Sequence, residues 1–281
     1  MSAPATPTAA NPDIRGHYVT VDNTRIYYDQ LGEGPPLVCI HTAGSCSMLY
    51  HDIMPLLAAA GFRVIALDLP GHGKSLPVNW APFTRMRDYA EFVWRFIGAV
   101  TGGVKPVVLG CSIGGNMVTD LAAHHSDGLV AAIAMAGGAR VPAFDVSQRA
   151  EPHASPGWPY FVETGVLAAS HQPMRPGKGV ELQWLHKFSS QGIFIGDLQC
   201  WTNHDVVAKM RDVAVPYLNI RGEADYFIDD EMVRNTMATI PPGLGEALFL
   251  DRIGHYPHYE DPERIAGIIV DFLQRRGLLP G

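Results

Sequence analysis

The stretch Val107-Val108-Leu109-Gly110-Cys111-Ser112-Ile113-Gly114-Gly115-Asn116-Met117 constrains this chain more than any other. A β-branched apolar run stops at a glycine, a serine follows two residues later, and two more glycines open a segment of helical spacing that ends near His125. That pattern reads as strand, very tight turn and helix. Glycines are needed on both sides of Ser112 because a side chain held in a strained turn requires neighbours without a Cβ. Backbone can then pack closely, and the hydroxyl can project clear of the sheet. By itself G-x-S-x-G also fits an ordinary loop of small residues, so its meaning depends on its surroundings.

Those surroundings alternate. The patterns of 17–21 and 25–31 predict two antiparallel strands joined at Asp22-Asn23-Thr24. After the break Gly32-Glu33-Gly34-Pro35-Pro36, the continuous apolar run Leu37 to His41 predicts a strand buried on both faces. Helices are expected over 48–60, 84–100 and 113–125, and strands over 62–67, 106–109 and 129–135. Strands alternating with helices imply a parallel sheet with right-handed crossovers, whose ligands bind at the carboxyl ends of the strands. Both His41 and Ser112 fall there.

From about Arg140 to Met210 the rhythm fails. Several prolines and three of the five tryptophans (Trp158, Trp184, Trp201) lie here, with apolar helical pieces over 160–169 and 181–189. An insertion of this length is too long for a plain loop and reads as a helical lid. The sheet then resumes over 216–220, followed by a helix over 230–239, a strand over 247–250 and a final helix from about 261 to 276. The expected organisation is a flexible tail over 1–16, a core in two parts (17–139 and 211–281) and a cap over 140–210.

Composition excludes several function classes. A formal charge of −7 and no Lys/Arg cluster argue against nucleic acid as a partner. The four cysteines, Cys39, Cys46, Cys111 and Cys200, form no C-x-x-C pair and read as small buried apolar groups. No run approaches the length of a membrane span, and Met1 to Asn11 lacks the basic start and apolar core of a signal peptide, so a cytoplasmic protein is expected.

Two later loops carry charge at strand ends. Arg221-Gly222-Glu223-Ala224-Asp225 follows the resumed strand, and Ile253-Gly254-His255-Tyr256 follows the last one. A serine hydroxyl is a poor nucleophile at its own pKa and needs an imidazole to take its proton. The imidazole in turn needs a carboxylate to hold its tautomer and stabilise its charged form. Serine, acid and histidine in that chain order, each at the end of a parallel strand, meet that requirement.

On these residues the chain resembles the α/β-hydrolase fold family, in its serine-esterase-like form with a helical lid, from about His17 to Arg276 and weakest across the lid. Asp68-Leu69-Pro70-Gly71-His72-Gly73-Lys74-Ser75 is similar to the family's D-x-P-G-x-G-x-S loop, Gly110 to Gly114 to its nucleophile elbow, Gly222 to Asp225 to its G-x-x-D acid loop, and Gly254-His255 to its histidine loop. The resemblance implies a mostly parallel eight-stranded sheet flanked by helices with a helical cap, Ser112 as nucleophile, Asp225 as acid and His255 as base. Glu223 competes for the acid role, but the family pattern favours Asp225. An oxyanion hole is expected from the backbone N–H groups of Ala43 and Ile113.

The family usually has His-Gly where this chain has His41-Thr42. Thr42 restricts the loop and adds a hydroxyl that could bond to the loop or the substrate, and His41 reads as an orienting group. Trp158, Trp184 and Tyr256 are expected to contact the substrate. Lys74-Ser75 ends like a phosphate-binding loop, but the required first glycine is Asp68. His255 and His258, or His124 and His125, lack the companions of a metal site. No cofactor is expected; the partner is a small-molecule ester or acyl compound, and a homo-oligomer is left open. Alternatives on the same residues are a lactone, amide or carbon–carbon bond hydrolase, a lyase or perhydrolase, or a receptor that does not turn over. Carbon–carbon bond hydrolases typically carry a His-Gly-x-Gly-Pro-Gly loop and a Trp after the histidine, where this chain has Ser45-Cys46 and Tyr256. Epoxide and haloalkane hydrolases would need an aspartate at position 112.

Overall fold

The computed structural model describes residues 13–141, 158–171 and 173–280, with the backbone alone for 158–161. Its strands are β1 (Arg15–Val21), β2 (Thr24–Leu31), β3 (Pro36–Ile40), β4 (Arg63–Leu67), β5 (Val107–Cys111), β6 (Ala131–Met135), β7 (Tyr217–Gly222) and β8 (Gly245–Leu250). They form one eight-stranded sheet in the order β1-β2-β4-β3-β5-β6-β7-β8. Strand β1 pairs antiparallel with β2, and β2 with β4. All remaining pairings are parallel.

Residues of β3, β5, β6 and β7 are buried throughout, as expected for strands covered on both faces. Because successive side chains point to opposite faces, the sheet builds two cores. Val38, Ile40, Ile65 and Val108 pack with helices α2 (Met86–Thr101) and α3 (Ile113–His125), while Leu37, Cys39, Val64 and Leu109 pack with α1 (Met54–Ala59) and the last long helix, over Pro262–Arg275. In α2, Tyr89, Phe92, Val93, Phe96 and Ile97 form the buried stripe, and Gly102 ends the helix in the left-handed region at φ 62°. The helix expected over 48–60 is divided instead into a 3-10 turn, Ser47–Tyr50, and the short α1. Pro55 explains the break: lacking an N–H, it is tolerated only in the first turn of a new helix.

Between β6 and β7 lie α4 (Trp158–Ala169), α5 (Lys178–Leu185) and α6 (Gln191–Thr202), followed by a 3-10 segment, Val207–Asp212. Here α5 occupies the place of the piece expected over 181–189, and α6 was not foreseen. Val162, Val166, Leu182, Leu185 and Ile195 from these helices meet Cys46, Leu49, Tyr256 and Tyr259 from the loops at the sheet's carboxyl edge in a third apolar cluster. After β7 come α7 (Asp230–Met237), then, beyond β8, the single turn α8 (Pro257–Glu260) and α9 (Pro262–Arg275). Most of the expected tail and residues 142–157 of the expected cap lie outside the described residues; β1 begins at Arg15, inside the segment read as tail. Among the described residues no helix is long and apolar enough to cross a membrane.

Candidate active site

Ser112 sits between β5 and α3 with φ 58° and ψ −121°, a conformation that costs a non-glycine residue of the order of 1–3 kcal/mol and persists only when its surroundings enforce it. Here backbone does so. The Ser112 N–H donates to the Met135 carbonyl at 2.9 Å, and its own carbonyl accepts from the Asn116 N–H at 2.9 Å. A Cβ at Gly110 would lie 2.2 Å from the Gly114 carbonyl oxygen, and one at Gly114 would lie 2.2 Å from that of Ile40. The turn can therefore close only on bare backbone.

His255 reaches the same region from the loop after β8. Its Nδ1 lies 2.8 Å from Asp225 Oδ2, and both side chains are buried. The second carboxylate oxygen of Asp225 accepts from the N–H groups of Phe227 at 2.8 Å and Ile228 at 3.2 Å, so the acid is held at both ends. A carboxylate only accepts, which puts a proton on Nδ1, and in the neutral imidazole the lone pair is then on Nε2. The rings of Phe227 and Tyr256 stand edge-on to the imidazole at 5.0 and 5.1 Å. Ser112 and His255 line one cavity of about 460 Å³. Among the described residues no hydrogen bond engages the Ser112 hydroxyl, which leaves its oxygen available on the cavity wall.

The histidine loop is braced by Glu260, which sequence reasoning passed over. Its Oε2 accepts from the N–H groups of Gly254 at 2.8 Å and His171 at 2.9 Å, and its Oε1 from that of Tyr256 at 3.0 Å. One carboxylate thus grips the backbone on both sides of His255 and ties it to the end of α4. Burial pushes this carboxyl above its ordinary value, while the three N–H donors act in the opposite direction. The available signal was a carboxylate one turn beyond the histidine, just before Asp261-Pro262.

Ala43 and Ile113 both line the cavity, and among the described residues neither backbone N–H donates a hydrogen bond. Ile113 opens α3, where the first N–H groups have no partner within the helix and the dipole favours negative charge. His41 is an orienting group: its Nδ1 donates to the Thr42 carbonyl at 2.7 Å and its Nε2 accepts from the Leu69 N–H at 2.9 Å. The Thr42 hydroxyl lies 3.1 Å from Nε2 of His186, just beyond α5. Asp68 is a turn carboxylate, accepting from the N–H groups of Ser47 at 2.7 Å and Lys74 at 2.8 Å.

Of the three side chains expected to contact a substrate, Tyr256 lines the cavity. Trp158 begins α4, but its side chain lies outside the described residues. Trp184 is a correction. It is 49% exposed and edge-on to Phe188, away from the described cavity wall, because α5 buries Leu182 and Leu185 and position 184 falls on its outer side. The cap contributes Val162, Val166, His186, Phe194, Leu198 and Trp201 instead, and the described wall holds no Lys, Arg, Asp or Glu. No group of three or more described His, Cys, Asp or Glu side chains could hold a metal ion.

Comparison with known proteins agrees with this architecture. The chain is 27% identical over 256 residues to a pyrethroid hydrolase of Sphingobium wenxiniae, covering 84% of this chain and 86% of that one. A shorter match, 38% identical over 106 residues, is to a haloalkane dehalogenase of Mycobacterium marinum; it covers 33% of this chain and about a third (35%) of that relative. Among solved structures, the enol-lactonase of Burkholderia xenovorans superposes with a TM-score of 0.81 at 20% identity, covering 92% of this chain and all (100%) of that one. The family model for the alpha/beta hydrolase fold matches residues 35–193, more than half of the sequence, and with strand order, elbow and loops in agreement the chain belongs to the alpha/beta hydrolase fold family of enzymes.

Proposed function

We propose that this protein hydrolyses carboxylic esters through an acyl-enzyme intermediate on Ser112. The observation that carries the reading is the Asp225–His255 hydrogen bond of 2.8 Å behind an imidazole that shares a cavity wall with the strained Ser112. In the first step the Ser112 oxygen attacks the ester carbonyl carbon and its proton passes to His255 Nε2. Asp225 stabilises the resulting imidazolium, and the Ala43 and Ile113 N–H groups donate to the oxyanion. Collapse breaks the carbon–oxygen bond, with His255 returning the proton to the departing alcohol. Water then attacks the acyl carbon and gives a proton to His255; collapse breaks the bond to the Ser112 oxygen, His255 returns the proton to that oxygen, and the acid leaves.

The resemblance to a haloalkane dehalogenase does not carry that chemistry to this chain. Displacing halide from carbon calls for a carboxylate nucleophile, and position 112 is serine. The apolar described wall suits a neutral ester with bulky apolar substituents, since a substrate charge would enter without a counter-charge. Likeness to a pyrethroid hydrolase is in keeping with this.

The test is a series of p-nitrophenyl esters from acetate to decanoate, alongside a succinate monoester. The reading expects kcat/KM to rise from acetate to a medium-length acyl chain and to be low for the anionic ester. It also expects Ser112→Ala to lose on the order of a thousandfold or more in rate while remaining folded. Retention of most activity by that variant would remove the mechanism.

A further inference from the structure

We propose that the cap residues His186 and Asp197 are positioning residues for the oxyanion hole, acting on Ala43 through Thr42 and Gly44. The inference rests on the esterase reading for its kinetic consequence and on geometry for its structural one. Ala43 sits between two residues that are each bound to the cap. On one side the Thr42 hydroxyl meets His186 Nε2 at 3.1 Å. His186 Nδ1 donates to the Leu182 carbonyl at 2.8 Å, so Nε2 holds a lone pair and the threonine must be the donor. On the other side the Gly44 N–H donates to Asp197 Oδ2 at 3.1 Å.

The side chains that make these contacts are buried. Thr42 and His186 show little exposure and Asp197 is 2% exposed, so a polar group that loses its partner there is costly. Burial pushes His186 down to about 4, so it stays a neutral acceptor at neutral pH. The Asp197 carboxylate is balanced by His72, whose Nε2 is 2.8 Å from the same oxygen and whose Nδ1 is 3.2 Å from the Pro70 carbonyl. Both ring nitrogens face acceptors, so the ring carries two protons and a positive charge. Burial works against that charge, the Asp197 carboxylate together with the Pro70 carbonyl and Asp68 more than offsets it, and His72 is held above its ordinary value.

Gly44 allows the close approach. It adopts φ +72°, and a Cβ there would lie 2.1 Å from the Phe194 ring of α6. Within the loop itself the backbone supplies one closing hydrogen bond, from Ser45 N–H to the Thr42 carbonyl at 3.3 Å. His41 holds the Thr42 carbonyl at 2.7 Å, and the restraint on the Thr42 hydroxyl and the Gly44 N–H comes from side chains more than a hundred positions further along the chain. Thr42 is then one of the residues that couple cap to core, with a hydroxyl that can be removed without changing the side chain's shape.

The experiment compares Thr42→Val, which keeps the shape and deletes the hydroxyl, with Thr42→Ser, which keeps the hydroxyl. Amide hydrogen exchange is followed in peptides covering 41–46 and 109–117, and kcat and KM are measured on p-nitrophenyl butyrate. For Thr42→Val, exchange in 41–46 is expected to rise about tenfold with 109–117 unchanged. Its kcat is expected to fall about tenfold with KM within about twofold of the parent value, and Thr42→Ser to restore both readouts to within about twofold. Should Thr42→Val fail to fold, His186→Phe carries the same expectations from the cap side. Parent-like exchange and kcat in the valine variant would overturn the proposal, as would equal loosening of both peptides or a loss confined to KM. If the parent protein hydrolyses no ester, the exchange data alone decide this inference and the esterase reading fails separately.

Discussion

The serine turn and the loop around Ala43 line one cavity, yet they are held by different means. Ser112 is fixed by main chain: its N–H to Met135, its carbonyl to Asn116, and glycines pressed against the backbone of β3 and α3. The loop around Ala43 has two local bonds to the Thr42 carbonyl, from His41 Nδ1 and the Ser45 N–H, and is otherwise held by side chains from a distant part of the chain, His186 and Asp197. On the proposed reading the nucleophile is set by the sheet, while one of the two N–H groups proposed to receive charge in the transition state, that of Ala43, depends on the cap being seated. If the proposed roles hold, the contrast separates the two halves of the site by what each requires: main-chain rigidity for the attacking atom, correct docking for the Ala43 donor.

Changes on the core side of this contrast are expected to have the largest effects. Asp225→Asn removes the acceptor that fixes the His255 tautomer, and kcat is expected to drop by about a hundredfold or more with an unchanged circular dichroism spectrum. Activity within a few-fold of the parent would mean that Asp225 is not the orienting acid. Gly114→Ala forces a methyl group onto the Ile40 carbonyl; a stability loss of about 1–3 kcal/mol in urea and a kcat loss of about a hundredfold are expected. A fully active, stable alanine variant would show that close backbone packing does not hold the serine.

Glu260 gives a smaller test, because it acts through the position of His255. In Glu260→Gln one acceptor oxygen becomes an NH2 facing backbone donors, which should lower kcat about tenfold and leave KM near the parent value. The cap side can also be probed by pH. Because folding raises the His72 value, the stabilisation from its pairing with Asp197 is fully present below the ordinary value of 6.5 and fades as pH rises through the raised one. The difference in Tm between the parent and His72→Gln should therefore shrink with rising pH; a gap that widens contradicts a charged His72. Trp184→Ala should leave the kinetics on p-nitrophenyl butyrate unchanged, since the ring lies outside the described wall.

What could be read from sequence follows the same division. Strand, glycine turn and helix are local patterns, so the sheet, the serine turn and the loops bearing Asp225 and His255 are visible in consecutive residues. The cap is less legible. In α6 the run Gln191-Gly192-Ile193-Phe194-Ile195-Gly196-Asp197 mixes two glycines and β-branched residues, none a strong helix former. A Cβ at Gly196 would lie 2.4 Å from Pro82 Cβ and 2.5 Å from the Phe83 carbonyl oxygen, so that glycine serves tertiary packing rather than helix propensity. His186 and Asp197 carry no motif, because their partners come from loops far away in sequence. The one sign pointing to them was Thr42, a hydroxyl where the resemblance leads one to expect glycine.

The most direct measurement is covalent labelling of the intact protein by a fluorophosphonate, read by mass spectrometry and peptide mapping. The account predicts one adduct per chain, on Ser112, with no adduct in Ser112→Ala. Ester hydrolysis by a chain that takes no label, or that is labelled at another residue, would contradict it.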